Sequence, residues 1–109
     1  MTTVTVKKIN GRIAEIICDG HTGYGVAGED IVCAAVSSIV QTAVLGIFSV
    51  AGVNAEYKID EERGYLRLAL PKNMTSSQSH DSEVILKTLM CGIADLHEGY
   101  SDFVELEVE

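Results

Sequence analysis

The fold is decided by Thr2 to Asp19, which reads TTVTVKKINGRIAEIICD. Val4 and Val6 alternate with Thr3, Thr5 and Lys7, the period of a strand with one buried face. Asn10-Gly11 is the dipeptide preferred by a two-residue hairpin turn whose central residues both need positive φ. Arg12 to Asp19 then returns as a second strand rich in isoleucine. The chain therefore opens with an antiparallel hairpin, and the rest of the fold is built outward from it.

Residues 20–28 read GHTGYGVAG, four glycines in nine residues, which is a loop. Asp30 is placed to cap a helix whose apolar body begins at Ile31. Val32, Val36, Ile39, Ala43, Ile47 and Val50 recur at helical spacing, and Gly52 supplies a stop. Ala55, Tyr57 and Ile59 alternate with Glu56, Lys58 and Asp60 in a third strand. Glu62-Arg63-Gly64 turns the chain into a fourth strand, with Leu66, Leu68 and Leu70 on one side, halted by Pro71. Thr75 to Ser79 reads as a polar linker and Ser79 as the cap of a second helix. That helix shows Ile85, Leu86, Leu89, Met90, Ile93 and Leu96 on one face and ends at Gly99. Phe103 to Glu109 is the last strand. The order β-β-α-β-β-α-β with short turns predicts an α+β, two-layer fold: a mostly antiparallel sheet with two helices on one face.

The chain has 109 residues, enough for one domain over 1–109 and for burial of roughly 65% of the unfolded surface. A formal charge of −8 argues against direct binding of nucleic acid, which needs clustered Lys and Arg. Three cysteines at positions 18, 33 and 91 are too few and too scattered for a disulfide framework. Met1 to Val6 shows no basic region followed by an apolar stretch, so the expected location is the cytoplasm, with reduced thiols. The uncharged run Ile31 to Ala55 has the length of a membrane span. Its Ser37, Ser38, Gln41, Thr42, Ser49 and Asn54, and its acidic flanks, favour a core helix with one side covered by a second subunit.

Chemistry concentrates between Asp19 and Cys33. His21 stands at a strand end, Cys33 stands in the first turn of a helix, and the glycine loop joins them. With Asp30 as N-cap, Cys33 is the third helical residue, beside free amides and the positive helix end, which favour the nucleophilic thiolate. His21 is placed to take the thiol proton and return it to a leaving amine. Amides of the helix start or of the loop would form an oxyanion hole. The plainer readings stay open: Cys33 as a small buried hydrophobe, Asp30 as a simple cap, and Ser37 bonded back to its own helix. Cys18 and Cys91 read as buried packing residues, and His80 and His97 as a helix-start residue and a solvated face. A zinc site of Cys18, His21 and Cys33 is disfavoured, because an offset of three puts residues 18 and 21 on opposite strand faces. A phosphate site is disfavoured by the absence of lysine and by Glu29 and Asp30 at the helix start. No metal and no cofactor are expected.

Gly20-His21, the glycine loop, and then Asp30-Ile31-Val32-Cys33-Ala34 with Ser37 resemble the Prp family, the bacterial ribosomal-processing cysteine proteases. The likeness spans essentially the whole chain. It implies a small homodimeric cytoplasmic thiol protease that removes an N-terminal extension from large ribosomal subunit protein number twenty-seven. By position it implies Cys33 as nucleophile and His21 as base, with Asp30, Ser37 and Gly20 in support. It also implies substrate contacts from the loop that carries Thr22, Gly23, Tyr24, Gly25 and Gly28. An acidic enzyme suits a basic ribosomal protein as substrate. Two other classes compete. A non-catalytic dimeric module would bind a ribosomal protein tail or assembly factor. A thiol redox sensor would need Cys18 as the partner of Cys33.

Overall fold

A computed structural model describes the backbone of residues 1–20 and 29–109 and the side chains of 1–20 and 31–109. The order is β1 (Thr2–Ile9), β2 (Arg12–Asp19), α1 (Glu29–Ser49), β3 (Glu56–Asp60), β4 (Tyr65–Ala69), α2 (Ser76–Gly99) and β5 (Val104–Val108). The strands form a single five-stranded sheet in the order β3-β4-β2-β1-β5. The opening hairpin is as its sequence requires. Asn10 and Gly11 take φ of +54° and +77°, and Val4 pairs with Cys18 and Val6 with Ile16.

β2 pairs antiparallel with β4, and β4 with β3, so the sheet is mostly antiparallel. β5 is the exception and runs parallel to β1. The reason is topological. β2 and β3 point the same way, as do β4 and β5, so each helix is the crossover of a β-α-β unit. The two crossovers travel along the sheet in opposite senses from oppositely directed strands. Right-handed connections then place both helices on the same face.

That face carries the core. Val4, Val6, Ile16, Cys18, Leu66, Leu68 and Val104 point up from the sheet. Val32, Val36, Val40, Ala43 and Ile47 of α1 and Leu86, Leu89 and Ile93 of α2 point down. The opposite face is held by charge. Arg67 Nε lies 2.8 Å from Glu15, which Lys7 also approaches at 3.5 Å, and a second guanidinium nitrogen of Arg67 lies 3.4 Å from Glu56. Lys7 stands directly opposite Glu15, and Arg67 reaches its two glutamates diagonally, so the network crosses four strands.

Four expectations need correction. α1 begins at Glu29, so Asp30 is the second helical residue rather than the cap; acidic residues suit a helix's first turn as well. α2 begins at Ser76, not at Ser79. Thr75 accepts from the Gln78 amide at 3.1 Å while the Gln78 side chain accepts from the Thr75 amide at 3.0 Å, a capping box. Cys91 is exposed rather than packed, and Val50, just past the end of α1, is 77% exposed. His97 is exposed, as expected, and its Nδ1 also lies 2.6 Å from the Val104 carbonyl, where α2 passes the start of β5.

Candidate active site

β2 ends at Asp19, and the chain leaves the sheet through Gly20. Gly20 has φ of +121°, and any Cβ there would collide with the Met1 carbonyl oxygen and sit 3.1 Å from Thr2 Cα. Only glycine fits where the N-terminal strand crosses this exit. The exit is also pinned from the side. Arg63, in the β3–β4 turn, reaches Asp19 at 3.1 Å, and its guanidinium stacks 4.6 Å from the Tyr65 ring centre.

Across from this exit, α1 carries Cys33 and Ser37 one turn apart on the same face. Both border a cavity of about 160 Å³. Its floor includes Cys18 and Leu66, its β2 side Gly20, and its outer wall Ile59 and Asp60 of β3 with Tyr65 of β4. The structure thus brings together three of the residues singled out from sequence: Cys33, Ser37 and Gly20. Because α1 starts at Glu29, Cys33 is the fifth helical residue, not the third. Helical side chains lean toward the N-terminus, so the thiol still covers the first turn. His21, Thr22, Gly23, Tyr24, Gly25, Gly28 and the Asp30 side chain lie outside what the structure describes.

The three cysteines are well separated by environment. Cys91 is exposed on α2, Cys33 is half-buried at the cavity, and Cys18 is buried beneath it. Burial first, and the neighbouring Cys33 thiol second, push the Cys18 thiol up to about 12. Cys18 therefore stays protonated at neutral pH and is a floor, not a nucleophile. Among the described residues no group of three His, Cys, Asp or Glu side chains gathers at a metal-binding distance.

The wall from β3 and β4 was not foreseen. Ile59, Asp60 and Tyr65 carry no local signal of a site, since only the pairing of the second hairpin with β2 brings them opposite Cys33.

A family model for cysteine protease Prp matches residues 1–105. The ribosomal processing cysteine protease Prp of Staphylococcus aureus strain Mu50 is 24% identical over 96 residues, covering 88% of this chain and 87% of that protein. The Bacillus subtilis protein of the same name is 22% identical over 103 residues, covering 94% and 92%. Among solved structures, Staphylococcus aureus Prp in complex with a substrate peptide superposes with a TM-score of 0.88 at 23% identity, over 100% of both chains. A Streptococcus mutans protein matches with a TM-score of 0.88 at 28% identity, covering 99% of this chain and 93% of its own. With a half-buried thiol on the first turns of α1, a glycine-only strand exit facing it, and a family match along nearly the whole sequence, the chain belongs to the Prp family of cysteine proteases.

Proposed function

We propose that this protein is an endopeptidase that removes the N-terminal extension of large ribosomal subunit protein number twenty-seven during ribosome biogenesis. The observation that carries the reading is the position of Cys33, the half-buried thiol of a cavity that also receives Gly20, the residue before His21. His21 takes the Cys33 proton, and the thiolate attacks the scissile carbonyl. The tetrahedral oxyanion collapses as the protonated imidazole gives its proton to the departing amine, leaving a thioester. Water, deprotonated by His21, then hydrolyses that acyl-enzyme and restores the thiol. Asp30 orients this pair or complements the helix start, Ser37 lines the substrate side of Cys33, and Gly20 sets the path into His21. The segment with Thr22, Gly23, Tyr24, Gly25 and Gly28 supplies substrate contacts.

The charge of −8 favours a basic protein over nucleic acid as partner. The protein works in the cytoplasm, as a homodimer joined through α1. Ile31–Ser49 is long and apolar enough for a membrane, but one face of the helix belongs to the core. The other face leaves Ile31 74% and Leu45 65% exposed, an apolar strip that a second copy covers.

The deciding experiment incubates the extended ribosomal protein with the unmodified chain, with Cys33→Ala and with His21→Ala, and reads intact masses. A single cut near the N-terminus by the unmodified chain, absent in both variants, is the expected result. Binding without cleavage by all three would replace the protease reading with that of a tail-binding module.

A further inference from the structure

β3 is an edge strand, and no described residue pairs with its outer side. All five of its residues, Glu56 to Asp60, are exposed. The free amides and carbonyls of such an edge recruit another strand unless it is blunted by bulges, proline, a covering element or charge. β3 is short and carries Glu56, Lys58 and Asp60, but no proline, and these charges lie on one face and leave its edge groups open. The other edge is treated differently. At β5 the Val104 carbonyl is already occupied by His97, at the end of the strand nearest the cavity-lining Thr2.

The open edge leads to the thiol. Ile59 and Asp60, the last two residues of β3, are also walls of the cavity that holds Cys33. The strand's two faces differ in chemistry. Tyr57 and Ile59 stand opposite Leu68 and Leu66, on the face toward the helices, yet beyond their cover. Phe48 extends that apolar wall, its ring edge-on to Tyr57 at 6.4 Å. Glu56, Lys58 and Asp60 occupy the other face.

We propose that the outer edge of β3 is the main-chain docking site for the substrate, an extended peptide that joins the sheet as a sixth strand and runs into the Cys33 cavity. The inference rests on the protease reading above and adds to it a class of substrate segment. That segment has apolar side chains at alternate positions, lying along Tyr57 and Ile59, and a basic residue where it passes Asp60 and Glu61. Main-chain pairing supplies affinity, and the alternate side chains supply choice.

The test uses a synthetic peptide spanning the junction of the N-terminal extension in ribosomal protein number twenty-seven. Hydrogen exchange is measured on Cys33→Ala with and without the peptide, and the unmodified chain is assayed on the same peptide N-methylated at one position at a time. Amides in residues 56–60 should gain protection while those in 104–108 do not. N-methylation should lower kcat/KM by up to about tenfold at every second position on one side of the scissile bond, the scale of one lost hydrogen bond. Bound peptide with an unprotected β3, or N-methyl effects without alternation, overturns strand addition and leaves the protease reading standing. Absence of both binding and cleavage overturns the protease reading, and strand addition with it.

Discussion

Replacing Gly20 with alanine tests the geometry at the entrance to the site. Two costs add. At φ of +121° a side chain strains the backbone by roughly 1–3 kcal/mol. The new Cβ also meets the Met1 carbonyl oxygen and Thr2 Cα, both backbone, so the N-terminal strand must move, and crowding of this kind costs about 1–3 kcal/mol. The expected loss is about 4 kcal/mol, or about 16 °C in Tm at roughly 4 °C per kcal/mol for a domain of this size. Gly11→Ala is the control. Gly11 has φ of +77° with nothing near its absent Cβ, so only the conformational cost of about 1 kcal/mol applies, near 4 °C. Calorimetric melts of both variants beside the parent give the comparison. If Gly20→Ala melts no lower than Gly11→Ala, the close approach of β1 to the strand exit is refuted, and Gly20 loses its structural claim on the site.

Other outcomes follow from the same structure. The Cys18 thiol binds its proton more tightly folded than unfolded. The stability it lends is therefore whole below pH 9.0 and is lost as pH rises toward 12, by roughly 4 kcal/mol in full. Urea midpoints of the parent should fall faster than those of Cys18→Ala across that range, and equal slopes would contradict it. With a thiol reagent at pH 8, Cys91 should label readily and Cys18 only after unfolding. Thr75→Ala removes the α2 capping box and should cost about 1 kcal/mol, or about 4 °C in Tm. Leu45→Glu should convert the protein from about twice 11.7 kDa to a single copy by sedimentation, with its melt little changed; a parent already monomeric would dispose of the dimer.

How legible each part was depends on the range of the interaction behind it. The opening hairpin was readable because Asn10-Gly11 and the valine alternation are local, and β2 falls on the residues expected. Cys33 and Gly20 were readable because they flank one loop. The start of α2 was misplaced although its signal, Thr75 with Gln78 three residues on, is also local; the serines that follow compete for the same role. β5 was found as a strand, but its parallel pairing with β1 depends on the crossover of α2, which periodicity does not encode. His97 shows the same limit. Its partner is a carbonyl seven residues away that comes into reach only once α2 has docked. The outer wall of the cavity was invisible for this reason too, since Ile59, Asp60 and Tyr65 belong to a hairpin far along the chain.

β4 lies between β2 and β3 in the sheet but follows both in the sequence. A chain being synthesised therefore carries the thiol helix and both flanking strands before the strand that must be slotted between them. Until β4 is threaded in, β3 has no hydrogen-bonding neighbour and the cavity has no outer wall. The nucleophile is made early and its cleft late, so the docking of β4 against its two older neighbours sets the moment at which a newly made molecule can hold a peptide at all.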